Sequence, residues 1–146
     1  MDHDFKAFPE LTDSQMSQIY FESPHKQIFE DFSAEVVKVH DGDTITLRWR
    51  DRDFDFPLRF INIAAPELKE DGGPESKEWL ESMLLGKEID IKINPQNRVE
   101  KWGRLLGNVV LGGIDIGEMS VMNNQSVSWE QRNDGKVNFN FDFKWQ

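Results

Sequence analysis

Glu35-Val36-Val37-Lys38-Val39-His40, then Asp41-Gly42-Asp43-Thr44, then Ile45-Thr46-Leu47-Arg48-Trp49-Arg50 is the stretch that decides the fold. β-Branched and aliphatic residues dominate both flanking runs, and Asp-Gly between such runs is a strong short-range signal for a hairpin. Asp51-Arg52-Asp53 makes the next turn, and residues 54–63 read as a third strand. Pro57 inside that strand points to an edge or a bulge, because proline cannot donate to a ladder.

Downstream, Gly72-Gly73-Pro74 breaks the chain, and Pro74 suits the first turn of a helix. Trp79, Leu80, Met83 and Leu84 give that helix one apolar face, with Gly86 beyond its end. Residues 88–93 alternate as a fourth strand, and 105–111 form a fifth after the polar loop 94–102. Gly112-Gly113 then turns the chain into a short helix over 114–122. Three strands, a helix, two strands and a helix predict an α+β, mainly β fold. The expected architecture is a five-stranded, partly open OB-fold barrel over 34–128, with helices at its side. Such barrels offer one face and its loops to oligonucleotides or oligosaccharides.

Residues 1–33 read as an N-terminal arm with one short helix. Thr12 is its N-cap, Gln15 closes a capping box, and Leu11 and Met16 occupy the hydrophobic-staple positions. Met16, Ile19 and Tyr20 share a face, and Ser23-Pro24 ends the helix. The rings of Phe5, Phe8, Tyr20, Phe21, Phe29 and Phe32 exceed what one helix can bury, so they must pack on the barrel or on another protein. Residues 129–146 form a tail. There Val137, Phe139, Phe141, Phe143 and Trp145 alternate with polar residues after an Asn133-Asp134-Gly135 turn. This strand could hairpin onto 126–131 or serve as a β-addition element.

The chain has 146 residues, no cysteine and a formal charge of −10. No disulfide framework or thiolate metal site is therefore available. The start has no basic and apolar signal-peptide pattern, and no apolar run is long enough for a membrane span. These features suggest a cytoplasmic or intracellular protein without a membrane partner. The acidity is unevenly shared. Residues 1–33 carry 7 acidic and 2 basic groups, 34–128 carry 17 and 12, and 129–146 carry 3 and 3. A nucleic-acid partner would need a local basic pocket or a bound cation.

The chemistry centres on Arg59-Phe60-Ile61-Asn62-Ile63-Ala64-Ala65-Pro66-Glu67. An arginine in an apolar strand needs a fixed anion, and Glu67 or a bound phosphate are the candidates. Lys101-Trp102-Gly103-Arg104 brings a second arginine on a glycine turn. Two guanidinium groups and a carboxylate around one pocket suit a phosphodiester, whose transition state spreads negative charge over phosphorus oxygens. His3, His25 and His40 show no ligand spacing.

Together, Asp41-Gly42-Asp43-Thr44, Arg59…Pro66-Glu67, Gly73-Pro74-Glu75 and Lys101-Trp102-Gly103-Arg104 resemble the staphylococcal nuclease (thermonuclease-like) family over roughly 34–127. The resemblance implies a Ca2+-dependent nuclease of DNA or RNA. Arg59 and Arg104 would clamp the phosphate, and Glu67 would act as general base or position the water. Asp43 and the Ala65 carbonyl would bind the metal, with Asp41 and Thr44 in support. The family has Asp-Thr-Pro-Glu where this chain has Ala64-Ala65-Pro66-Glu67, so one carboxylate ligand is absent; Asn62, Glu70 and Asp71 are possible substitutes. The alternative is a catalytically inactive module of a larger assembly, such as a virion component, docking through residues 1–33 and 135–146.

Overall fold

The structure, a computed structural model, describes residues 4–5, 7–101 and 103–130. The hairpin stretch forms β1 (Phe32–Asp41) and β2 (Thr44–Arg48), followed by β3 (Phe56–Phe60) and the short β4 (Ile63–Ala64). β1 and β2 are antiparallel, as are β2 and β3. After helix α2 (Gly73–Leu84), strand β5 (Glu88–Lys92) returns along the free edge of β1, and β6 (Leu105–Leu111) pairs with β5.

Parallel pairing of Leu58 with Leu105, Arg59 with Leu106 and Phe60 with Gly107 joins β3 to β6 and closes a five-stranded barrel. Closure removes the edge that Pro57 seemed to announce. Pro57 pairs with Thr46 on one side and lies one residue before the closing ladder begins at Leu58, so its missing N–H deprives no strand.

The inward-facing residues follow the two-residue period of a strand, except in β1, where a register shift between Val36 and Lys38 separates Val36 from Val39 by three. Val36 and Val39, Ile45 and Leu47, Phe56, Leu58 and Phe60, Ile89 and Ile91, and Leu105 and Val109 are all buried. Leu80 and Leu84 of α2 join the same core, completing the apolar face read from sequence; Trp79 and Met83 pack at its margin. Full burial of each large side chain contributes about 1.5–3 kcal/mol.

β7 (Ile114–Asp115) extends the sheet from β6 before helix α3 (Ile116–Met122), so the segment predicted as one helix begins as a strand. Asp115 caps α3 through the Glu118 amide. β8 (Val127–Ser128) then pairs antiparallel with β4. The strand predicted over 137–145 lies outside the described residues. No helix among the described residues is long and apolar enough to cross a membrane.

In the arm, α1 (Asp13–Ile19) carries the Thr12–Gln15 capping box. The helix tightens to a single 3₁₀ turn at Tyr20–Glu22, which breaks the α period. Ile19 is buried, whereas Tyr20 is half exposed and Phe21 is 83% exposed. Leu11 and Ile28 are buried beside Glu10, which is joined to Arg52 and Arg98. The arm is thus bound to the barrel by a buried ionic cluster as well as by apolar contact.

Candidate active site at the Asp43 end of the barrel

The turn between β1 and β2 places Asp41 opposite Thr44, and the β2–β3 register places Thr44 opposite Arg59. Arg59 therefore meets the Asp41–Thr44 turn on one outer face. Gly42 permits the tight approach. A Cβ there would lie 1.9 Å from Ser76 Oγ and 2.6 Å from Ala65 Cβ, so any side chain would push the turn off α2 and β4.

Asp43 is the hub. Its Oδ2 accepts from Arg59 Nη2 (3.2 Å) and from the Ala65 amide (2.9 Å), while Oδ1 accepts from Thr44 Oγ1 (3.0 Å). Arg104 reaches the same pair from the start of β6, with Nη1 3.4 Å from Thr44 Oγ1. The two arginines predicted to converge are thus brought together around Asp43 and Thr44.

Glu67 is not the partner of Arg59. Pro66 is buried, but Glu67 beyond it is exposed, and among the described residues its carboxylate makes no hydrogen bond or ion pair. Its amide donates to Glu70 Oε1 at 2.8 Å. Asp43 takes the Arg59 pairing because the strand register fixes it there, whereas the chain after Pro66 turns outward.

Two of the substitutes for the missing carboxylate, Asn62 and Glu70, are engaged elsewhere. Asn62 Nδ2 donates to Asp115 Oδ1 at 3.2 Å, and Glu70 closes its own loop. Ala64 is buried in β4, adjacent to the Ala65 amide that binds Asp43. Among the described residues, no group of three His, Cys, Asp or Glu side chains is gathered as for a metal.

Two partners of the arginines are not singled out by the sequence pattern. Glu100 grips Arg104 with both carboxylate oxygens, Oε1 on Nε and Oε2 on Nη2 (3.1 Å). Burial opposes the charge on Arg104, but hydrogen bonding and attraction from Glu100, then Asp43 and Asp41, raise its pKa overall. The other partner is Trp129, whose ring centroid lies 4.8 Å from Arg59 Cζ. The four-residue spacing of Glu100 and Arg104 is a signal that sequence alone could supply. Trp129 carries none, because its place depends on β4–β8 pairing.

Burial and the neighbouring charge of Asp43 push the Asp41 carboxyl up to about 7. The sign follows from linkage: ionising Asp41 costs more in the folded than in the unfolded protein, so stability falls as pH rises from about 4 through 7. Asp41→Asn is expected to be more stable than the parent by about 1–2 kcal/mol at pH 8, after discounting for partial solvent screening. The advantage should vanish near pH 3.5. Thermal melts across pH measure this, and equal melting temperatures at pH 8 would refute it.

No family model matches the chain. It is 32% identical over 108 residues to a protein of Escherichia coli O157:H7 named "Uncharacterized endonuclease", over 73% of this chain and 67% of that protein. A second protein of that name, from Escherichia coli, is similar to the same extent. The chain belongs to the family of these endonuclease-named proteins.

Proposed function

We propose that this chain is a nuclease, hydrolysing phosphodiester bonds of DNA or RNA at the Asp43 end of the barrel with the help of a divalent cation, in the manner of staphylococcal nuclease. The observation that carries this reading is the convergence of Arg59 of β3 and Arg104, just before β6, on one Asp43–Thr44 pair. The endonuclease name of the family members supports it.

Arg59 is anchored on its Nη side by Asp43 and the Phe60 carbonyl, at 3.2 and 2.7 Å. Its Nε has no partner among the described residues and is left for a phosphate oxygen. Arg104 is held by Glu100 and keeps an Nη1 edge toward Thr44. Two guanidinium groups so fixed stabilise charge building on the phosphoryl oxygens with little reorganisation. Glu67, exposed two residues after Ala65, would accept the proton of the attacking water as the water oxygen bonds to phosphorus; the P–O bond to the sugar oxygen breaks, and that oxygen takes a proton from solvent.

Asp41 and Asp43 supply two adjacent carboxylates to which a divalent cation such as Ca2+ would bind. Burial first, and then the charge of Asp43, raise the Asp41 pKa to about 7, a cost that a bound cation would offset. Asp43 and the Ala65 carbonyl would hold it, with Asp41 in support. A cation there supplies Lewis-acid polarisation of the phosphoryl group. Two carboxylates are few for calcium, whose affinity rises with charged ligands.

The test is digestion of plasmid and single-stranded DNA and of RNA over a divalent-cation titration, in the parent and in Ala64→Asp. Cation-dependent cutting by the parent, at lower cation concentration in Ala64→Asp, is the expected result. A parent inactive on every substrate, with activity appearing only in Ala64→Asp, would instead favour the inactive assembly module. The exposed Phe21 and Met122 fit that second reading, being 83% and 80% accessible.

A further inference from the structure

Beside the Asp43 cluster, the outer face of β1 and β2 carries a second polar group. Val39 and Ile45 face the core, so Lys38 and Thr46, paired across the ladder, stand on the opposite face. Thr44 and Arg59 share that face. The register slips between Val39 and Asp41, making His40 the extra residue of a β-bulge. A bulge re-aims the side chain it carries, and His40 Nε2 lies 2.6 Å from Thr46 Oγ1.

Lys77 follows Ser76, which packs against Gly42 of the β1–β2 turn, so α2 carries it to the same end of β1. Burial first, then the charges of Lys38, Lys77 and Arg104, hold the His40 pKa below its usual value. The leading charges acting on this imidazole are all cationic, in a chain of net charge −10.

From Thr44 to Thr46 the strand advances about 6.7 Å, comparable to the step between successive phosphates of a nucleic-acid strand. We infer that Lys38, His40 and Lys77 form a second phosphate subsite. It holds the phosphate next to the one gripped by Arg59 and Arg104, on a single strand laid along β2. This rests on the nuclease reading above and adds the direction in which substrate leaves the site. The lysines supply charge, and His40 supplies a hydrogen bond.

The double variant Lys38→Ala/Lys77→Ala tests it, with labelled oligothymidylate and oligouridylate followed by fluorescence anisotropy in chelator over a range of salt. Affinity should fall about tenfold, and the log–log salt slope should become shallower by about 1.4, the value for two single-strand phosphate contacts. Lys92→Ala, on β5 beside Asp31, is the control and should match the parent. In cleavage assays the double variant should raise KM more than it lowers kcat. Equal affinity and slope in parent and double variant would overturn the subsite, as would a parent that binds neither strand at low salt. If the lysines prove necessary for binding but the parent cuts under no divalent cation, the subsite stands and the nuclease reading fails. If the parent cuts and the double variant is indistinguishable, the reverse holds.

Discussion

Replacing Glu10 by alanine is expected to lower the free energy of unfolding by about 3–5 kcal/mol, the usual cost of breaking a buried ion pair from one side. Glu10 is 0% exposed. Its Oε1 bonds Arg52 Nη2, and its Oε2 accepts from Arg98 Nη1 (3.1 Å) and the Ile28 amide (2.8 Å). The guanidinium of Arg52 lies among Trp49, Phe54 and Phe56, 4.6–5.7 Å from their centroids, and that of Arg98 lies 4.0 Å from Phe29. Aromatic faces attract a cation but cannot replace the carboxylate, so two charges would be stranded in a dry site. Glu10→Gln keeps an acceptor and should lose less. Urea unfolding measures both, and a loss below about 1 kcal/mol for Glu10→Ala would mean that water reaches the cluster. The damage should extend beyond stability. The Arg98 carbonyl accepts from the Leu106 amide at 2.7 Å, and Glu100 and Arg104 follow in the same loop. Loosening Arg98 therefore loosens the loop that aims Arg104.

Much of the barrel was legible because its strands alternate and its turns carry Asp-Gly, Gly-Pro and Gly-Gly. The span of β6 and the apolar face of α2 follow directly from those patterns. The parallel β3–β6 closure was not legible, since nothing in the composition of either strand names its second neighbour. Pro57 misdirects for the same reason: it forbids a ladder bond at one residue and says nothing about the next. At the site, the arginines were recoverable as costly residues in otherwise apolar or glycine-turn settings. Their partners were not. Arg59 pairs with Asp43, 16 residues upstream, through the β2–β3 register, whereas sequence proximity favoured Glu67. The Glu10–Arg52–Arg98 cluster spans 88 residues of chain, and only the fold reveals that those charges are buried.

Arg59→Ala should reduce kcat/KM for nucleic-acid cleavage by about 10³-fold, at the upper end of what loss of one preorganised oxyanion donor costs. Arg59 fills two roles at once. On the proposed reading it presents Nε to the substrate; in the structure it neutralises Asp43 with Nη2 while tying it to the backbone at Phe60. Its removal leaves Asp43 without its ion-pair partner beside Asp41, so the variant should also melt lower at pH 8 than at pH 5 by a wider margin than the parent. Arg59→Lys should not rescue activity, because a single ammonium cannot hold Asp43, a carbonyl and a phosphate in one plane. Arg104→Ala removes only the second clamp and should cost about 10²-fold. The double variant should fall short of the product of the two losses, since both act on the same phosphate. Single-turnover cleavage by purified variants, each checked for a cooperative melt, separates chemistry from folding. Undiminished cutting by a folded Arg59→Ala protein would place the chemistry elsewhere, and the Asp43 cluster would then be a structural clasp between barrel strands.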